Sequence, residues 1–256
     1  MPVVLHLGNN RHAKPTGFTL VEMVVVIFIS SLLAALMFPA LSSAKEKSIR
    51  CVCRNNIGQL MLCVNEYADD NDNSLPSSAD NAGNYHSIIL SDLTFSNLYA
   101  YSSSDSNIFY CPNIVFNAAS PVAQHNKNGC VIGYSYWAGA ILASQKGSDS
   151  IILPSKITDS SATTNALITD ANFWTPNQTA SAYFPAAMTV SPHDSLGGAS
   201  SQGSSFTTGV PGGTNSAGLG SQGGNAGFLP RTVVWRPINS MQTLPASSIN
   251  DASGNR

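Results

Sequence analysis

The chain has 256 residues, and only 10% of them are charged, against about 25% in an average soluble domain. Its 12 Lys and Arg are offset by 14 Asp and Glu, which excludes a generally basic nucleic-acid binder. Hydrophobic residues make up 43% of the chain, which excludes a charge-driven disordered protein. The length allows one domain or two, with enough chain to bury a core.

The charges are distributed unevenly along the chain. Residues 1–54 hold six Lys and Arg against two Glu, whereas residues 55–256 hold six Lys and Arg against twelve Asp and Glu. A basic N-terminus before an apolar run, followed by a mildly acidic body, is typical of a membrane-anchored protein whose body faces outward.

Residues 18–41 predict a transmembrane helix, since no charge occurs from position 23 to position 41. At 1.5 Å per residue the segment spans about 36 Å, enough to cross a hydrocarbon core of about 30 Å. The basic flank at Arg11 and Lys14 places the N-terminus in the cytoplasm and the body outside.

A cleaved secretory signal is the alternative, with small residues at 34–35 and 40–44. Glu22 disfavours it, because an intramembrane carboxylate costs about 2.5–3.5 kcal/mol and is expected to have a partner.

Residues 14–22 read Lys-Pro-Thr-Gly-Phe-Thr-Leu-Val-Glu, which resembles the cleavage and methylation site of type IV prepilins and type II secretion pseudopilins. The resemblance implies that prepilin peptidase cuts after Gly17 and methylates Phe18, so that residues 1–17 are a leader. It implies that Glu22 neutralises the Phe18 amine of a neighbouring subunit and that Pro39 kinks the helix. The expected location is the bacterial inner membrane, with a single span and assembly into a periplasmic or surface filament.

Residues 42–68 predict an amphipathic helix that continues the same rod. Apolar side chains recur there at spacings of three and four, at Ile49, Cys53, Ile57, Leu60, Val64 and Tyr67. The Asp- and Asn-rich run at 69–74 ends the helix. A sheet formed by the remaining chain is the natural cover for this stripe, so we expect an α+β fold, with one long helix on a small antiparallel sheet.

The body, residues 69–256, is predicted to contain mostly short strands and a short helix at 86–94. The stretch at 195–230 has no charged residue and is rich in Ser and Gly, which predicts a mobile surface insertion. The strand candidates are rich in aromatic and β-branched residues and lie at 107–111, 131–137, 164–169, 182–184 and 232–235.

A second resemblance involves a pseudopilin-like group abundant in planctomycetes. It rests on the run from Cys53 to Leu60, on the Cys-Pro pair at 111–112 and on the Gly-Gly-Asn run that begins at Gly223. His193 is the candidate for an upstream histidine of that group. The sequence departs from the group at 230–232, where Pro, Arg and Thr stand in place of Asp, Gly and His, so no metal-binding role is assigned to that motif.

The five cysteines leave their pairing open. Cys51 and Cys53 are about 200° apart on a helix and cannot share a metal ion, and Cys53 and Cys63 are expected to be buried thiols. A disulfide between Cys111 and Cys130 is compatible with an exported body.

The end of the predicted helix offers a weak calcium candidate. Asp69, Asn71 and Asn73 carry oxygen ligands at alternate positions, but the glycine and distal glutamate of a calcium loop are missing. A solvated helix terminator is the favoured interpretation, and no other metal or cofactor is expected.

Nothing in the sequence supports catalysis, because no nucleophile motif, phosphate-binding loop or paired-carboxylate spacing occurs. The favoured hypothesis is a structural subunit of a type II secretion pseudopilus or type IV pilus, with prepilin peptidase, other pilin-like subunits, the assembly platform and the membrane as partners. The alternative is a membrane-anchored extracellular enzyme or binding module that uses the pilin export route. A DNA-uptake pilin is disfavoured by the acidic body, so no nucleic-acid partner is expected.

Overall fold

The chain forms two compact units, Met1–Leu41 and Ser42–Arg256. The computed structural model describes residues 17–114, 124–139, 141–142, 151–174, 189–193, 221–241, 243–245 and 253–255.

Helix α1 spans Leu20–Asp70 and contains the predicted transmembrane segment. Its N-terminal part is long and apolar enough to cross a membrane. Every large apolar side chain from position 18 to position 41 is exposed, as expected for side chains that meet lipid rather than a protein core. Pro39 lies inside the helix, where it cannot donate the usual backbone hydrogen bond.

Within the body, the buried face of α1 follows the predicted stripe. Cys53, Ile57, Leu60 and Val64 are at most 3% exposed, because their three- and four-residue spacing places them on one side of the helix. The helix ends two residues beyond the predicted position, and the Asn71 amide donates to the Tyr67 carbonyl at 2.7 Å.

The rest of the body is short antiparallel strands and one further helix, so the predicted α+β class is confirmed. Helix α2 spans Asp92–Tyr101, and 3₁₀ turns occur at Asn107–Phe109 and Ile238–Ser240. The strands, in chain order, are β1 Ile89–Leu90, β2 Gln124–Asn126, β3 Gly129–Val131, β4 Tyr134–Tyr136, β5 Ile141–Leu142, β6 Ile151–Ile152, β7 Ile168–Asp170, β8 Phe173–Trp174, β9 Thr189–Val190, β10 Gly223–Phe228, β11 Thr232–Pro237, β12 Thr243–Pro245 and β13 Ser253–Asn255.

These strands form several small sheets rather than the single sheet expected. In the described part of the chain the strand orders are β1-β3-β2, β11-β10-β7-β4, β12-β13-β8-β9 and β5-β6. The sheet β11-β10-β7-β4 is called the central sheet below. It lies against α1, since a Cβ built on Gly227 of β10 would be 2.8 Å from Ile57 Cγ2 and 3.0 Å from Met61 Cγ.

The largest correction concerns the predicted insertion at 195–230. Its last residues are not a surface loop, because β10 at Gly223–Phe228 is buried along its whole length and pairs with both β7 and β11. The glycine-rich composition reflects close packing here rather than mobility, since a larger residue at Gly227 would collide with α1. Residues 194–220 lie outside the described residues.

Three other predictions need correction. The helix predicted at 86–94 begins later, at Asp92, where the Ser91 hydroxyl caps it by accepting from Thr94 N. The strand predicted at 107–111 is a 3₁₀ turn followed by extended chain. The single strand predicted at 131–137 is two strands, β3 and β4, in different sheets. Gly133 lies between them, and its Cβ would be 2.5 Å from the Cys111 backbone nitrogen.

The remaining strand predictions hold in part. The strand at 232–235 is confirmed as the start of β11, and the segment at 164–169 forms a strand only from Ile168 to Asp170. The candidate at 182–184 lies outside the described residues.

We predict that Gly227→Ala lowers the free energy of unfolding by about 1–3 kcal/mol, because the added methyl group overpacks the contact with the β-branched Ile57. Chemical denaturation of the full chain in detergent measures this free energy of unfolding. Gly58→Ala is the control, since its Cβ meets only Val233 Cγ2 at 3.9 Å. That helical substitution is expected to stabilise by up to about 1 kcal/mol. Equal effects of the two substitutions would contradict the tight contact at β10.

Candidate functional site

A cluster of buried polar groups lies between α1 and the central sheet. Glu46 and Cys53 come from α1, Cys111 follows the 3₁₀ turn at Asn107–Phe109, Asp170 ends β7, and His193 follows β9. Each of these side chains is at most 2% exposed. We call these five residues the buried polar cluster.

Glu46 is held by three donors. Its Oε1 accepts from Arg50 Nε at 2.9 Å and lies 2.8 Å from His193 Nδ1, while its Oε2 accepts from Asn113 Nδ2 at 2.7 Å. Arg50 is one helical turn further on, and its guanidinium stacks 4.4 Å from the centre of the Trp235 ring. The carboxylate is therefore buried with its charge compensated.

Asp170 lies on the opposite side of His193. Its Oδ2 is 3.2 Å from His193 Nε2 and accepts from the backbone nitrogen and, at 2.9 Å, the side-chain nitrogen of Asn225. Burial alone lowers the pKa of His193, but the Asp170 carboxylate and neighbouring hydrogen bonds outweigh it and raise that pKa to about 10. The ring therefore sits where a positive charge is favoured.

Cys53 and Cys111 lie side by side, with their sulfur atoms 3.1 Å apart. This distance exceeds the bond length of about 2.05 Å in a disulfide, and both residues are free thiols. The hydrogen bond between the two sulfurs lowers the pKa of the Cys53 thiol, whereas burial raises that of Cys111 well above its usual range.

The expected disulfide between Cys111 and Cys130 is not formed. Strand β3 places the Cys130 sulfur 3.7 Å from Asp92 Oδ1, whereas Cys111 packs against Cys53 of α1. Of the other cysteines, Cys63 is buried as expected and Cys51 is exposed.

The calcium candidate at the end of α1 stays an untested prediction for Asp69, Asn71 and Asn73. The Asn71 amide donates back to the helix, and Asn73 has a φ of 61°. These features belong to a helix terminus.

The segment that precedes the apolar helix is a second candidate site. Leu20 is the first helical residue, so Thr19 is the N-cap and Glu22 is the third helical residue. Glu22 Oε2 accepts from the Thr19 backbone nitrogen at 2.8 Å and from its hydroxyl at 2.7 Å, while the Thr19 hydroxyl accepts from the backbone nitrogen of Glu22 at 3.3 Å. This reciprocal pattern is a capping box.

The residues at the predicted cleavage point are accessible. Phe18 is 78% exposed, and a Cβ built on Gly17 would meet nothing within 4 Å. Packing against the described residues therefore does not require glycine at position 17. Residues 13–38 match the prokaryotic N-terminal methylation motif.

The chain thus carries a type IV pilin-like, prepilin-type N-terminal domain, and its apolar helix fits anchoring in the inner membrane. The match covers the basic flank at Lys14, the Gly17–Phe18 junction and most of the apolar helix, but none of the body. No curated protein and no solved structure matches the chain. The resemblance to the planctomycete group stays a prediction.

Sequence reasoning found only part of the buried polar cluster. Cys53 and His193 were singled out separately, and Cys111 was assigned to a different partner. Glu46 and Asp170 were missed because each resembles an ordinary surface charge. A signal was present for Asp170, since it lies two residues beyond the apolar run at 166–168, at the end of a strand candidate.

We predict that Glu46→Ala lowers the free energy of unfolding by about 3–5 kcal/mol, because it leaves the charges of Arg50 and His193 without this buried partner. Glu66→Ala is the control on the exposed side of the same helix, where a change within about 0.5 kcal/mol is expected. Thermal and chemical denaturation of both variants measure the difference. A loss below 1 kcal/mol for Glu46→Ala would show that the cluster does not depend on this carboxylate.

Proposed function

We propose that the chain is a structural, non-enzymatic subunit of a pilin-like filament, either a type II secretion pseudopilus or a type IV pilus. The observation that carries the proposal is the N-terminal methylation motif at residues 13–38, which runs directly into an exposed apolar helix. The apolar side chains at 18–41 are exposed and therefore need lipid or another protein around them. The membrane would supply lipid before assembly, and the filament core would supply neighbouring helices afterwards.

Processing is proposed to occur between Gly17 and Phe18. No atom of the described residues lies within 4 Å of a Cβ built on Gly17. This supports the proposal that glycine is required there by the prepilin peptidase rather than by packing against the described part of the chain. The basic residues of the leader keep that bond on the cytoplasmic side, and the body follows on the other side of the membrane.

Glu22 is proposed to have two successive partners. In the single subunit it caps α1 through Thr19. In a filament, the new amino group of Phe18 of an adjacent subunit would meet the Glu22 carboxylate in an apolar setting, where two opposite charges each need the other. The capping interaction holds the carboxylate at the first turn until that partner arrives.

The processing step gives the first test of this function. Mass spectrometry of the chain isolated from its native membrane is expected to show a mature N-terminus at methylated Phe18. Gly17→Val should abolish processing, since the larger residue does not fit the peptidase, while leaving the fold intact because the position is open. A mature start after Ala40 or Ala44 would identify a secretory signal and contradict the proposal.

The assembly step gives the second test, which separates the charge of Glu22 from its capping role. Glu22→Gln keeps an acceptor for Thr19 but loses the charge, so we expect normal cleavage and at least a tenfold loss of incorporation into sheared filaments. Thr19→Val removes the hydroxyl of the capping box but keeps the charge, so we expect near-normal incorporation. Equal incorporation of Glu22→Gln and the unmodified chain would overturn the assembly role.

A further inference from the structure

We propose that Cys53, Cys111 and His193 bind a Zn²⁺ ion inside the body. The Asp170 carboxylate, whose Oδ2 lies 3.2 Å from His193 Nε2, fills the fourth position by moving toward the ion. The ligand atoms of the two cysteines and the histidine all lie within 4.8 Å of one another, and the three residues are buried. Two thiolates, one imidazole and one carboxylate are ligands that zinc accepts in a tetrahedral site.

The geometry of His193 is that of a metal ligand. Its Nδ1 lies 2.8 Å from Glu46 Oε1, and Glu46 is fixed in turn by Arg50 and Asn113. Metal-bound histidines typically donate their second ring N–H to a carboxylate, which orients the ring and selects the tautomer. With the proton on Nδ1, Nε2 is left to bind a metal, and it lies 3.2 Å from Asp170 Oδ2.

Two buried atoms at the centre of the cluster, His193 Nε2 and Asp170 Oδ1, make no well-directed hydrogen bond within the described part of the chain, although Nε2 lies 3.2 Å from Asp170 Oδ2. A buried acceptor without a partner is costly. Asp170 Oδ2 is already occupied by Asn225, which holds the carboxylate in place and leaves Oδ1 available. A cation bound at Nε2 gives that atom a partner, and the Asp170 carboxylate lies within reach of the same position, since its Oδ2 is 3.2 Å from Nε2.

The sulfur atoms complete the site with a small movement. Two thiolates on one tetrahedral Zn²⁺, each at about 2.3 Å, lie about 3.8 Å apart, whereas Cys53 and Cys111 are 3.1 Å apart. Each sulfur must therefore shift by less than half an ångström. A disulfide would need an approach in the opposite direction, to about 2.05 Å, and would leave His193 Nε2 and Asp170 Oδ1 without a cation.

Zinc is favoured over calcium or magnesium by the ligand chemistry. Calcium and magnesium require oxygen ligands, while thiolate and imidazole suit zinc. Binding releases the thiol protons of Cys53 and Cys111 and the Nε2 proton of His193 to solvent. The ion then joins α1, the chain after the 3₁₀ turn, β7 and the segment that follows β9. The proposed ion is therefore structural, with all four positions filled by protein and none left for a substrate.

The test measures zinc in the full chain, purified in detergent from cells grown with zinc. About one zinc ion per chain is expected by elemental analysis, and removal by a chelator should lower Tm reversibly. Cys53→Ser and Cys111→Ser are each expected to reduce bound zinc at least tenfold. Cys51→Ser is the control, since this thiol lies two residues from Cys53 but is exposed, and it should retain the metal.

A second measurement on the unmodified chain removes any dependence on how the variants fold. Cobalt exchanged into the chelated protein is expected to show thiolate-to-cobalt charge transfer and the intense visible bands of a tetrahedral site. Absence of these bands together with less than 0.1 zinc per chain, on the order of background, would overturn the proposal. A metal-free chain with a Cys53–Cys111 disulfide, detected as thiols that alkylate only after reduction, would overturn it as well. Neither result would affect the processing and filament tests.

Discussion

The contact between the buried face of α1 and the glycine-containing strand β10 is the constraint on which the body depends. Gly227 has no side chain, so Ile57 and Met61 of the helix reach the sheet backbone. This close approach gives α1 its apolar cover and brings Arg50 within reach of Asn225, whose side-chain amide donates to the Arg50 carbonyl at 3.3 Å. A larger residue at that point would separate helix and sheet and would open the buried polar cluster.

The buried polar cluster forms where α1 packs against several short strands, because their ends place polar side chains in the interior of the body. Glu46 and Asp170 bring two carboxylates into the interior. In the metal-free chain, Arg50 and protonated His193 supply the matching cations. Because unpaired buried charges cost several kcal/mol, each of these groups depends on the others. The cluster therefore fixes one arrangement of α1 against the central sheet. Zinc at Cys53 and Cys111 would reinforce the same arrangement, since the ion would link segments that are far apart in the sequence.

The two units of the chain follow different physical rules. The large apolar side chains from position 18 to position 41 are exposed, as expected of a helix that meets lipid rather than a protein core. After position 42 the same helix buries one face, as a soluble amphipathic helix does. The proposed filament subunit would need both properties, one for assembly and one for a stable body. The single helix supplies them by a change in composition along its length.

The sequence by itself determined what depends on local order along the chain. The span of α1, its buried stripe and the prepilin-type motif all follow from spacing within a few residues. Only the tertiary structure decided which distant residues meet, because pairing of short strands carries weak local signals. It placed Cys111 against Cys53 instead of Cys130 and converted the end of a glycine-rich stretch into the buried strand β10. Glycine is common both in mobile loops and at close contacts, so a glycine-rich stretch does not by itself distinguish the two. The packing of α1 on Gly227 shows a close contact here.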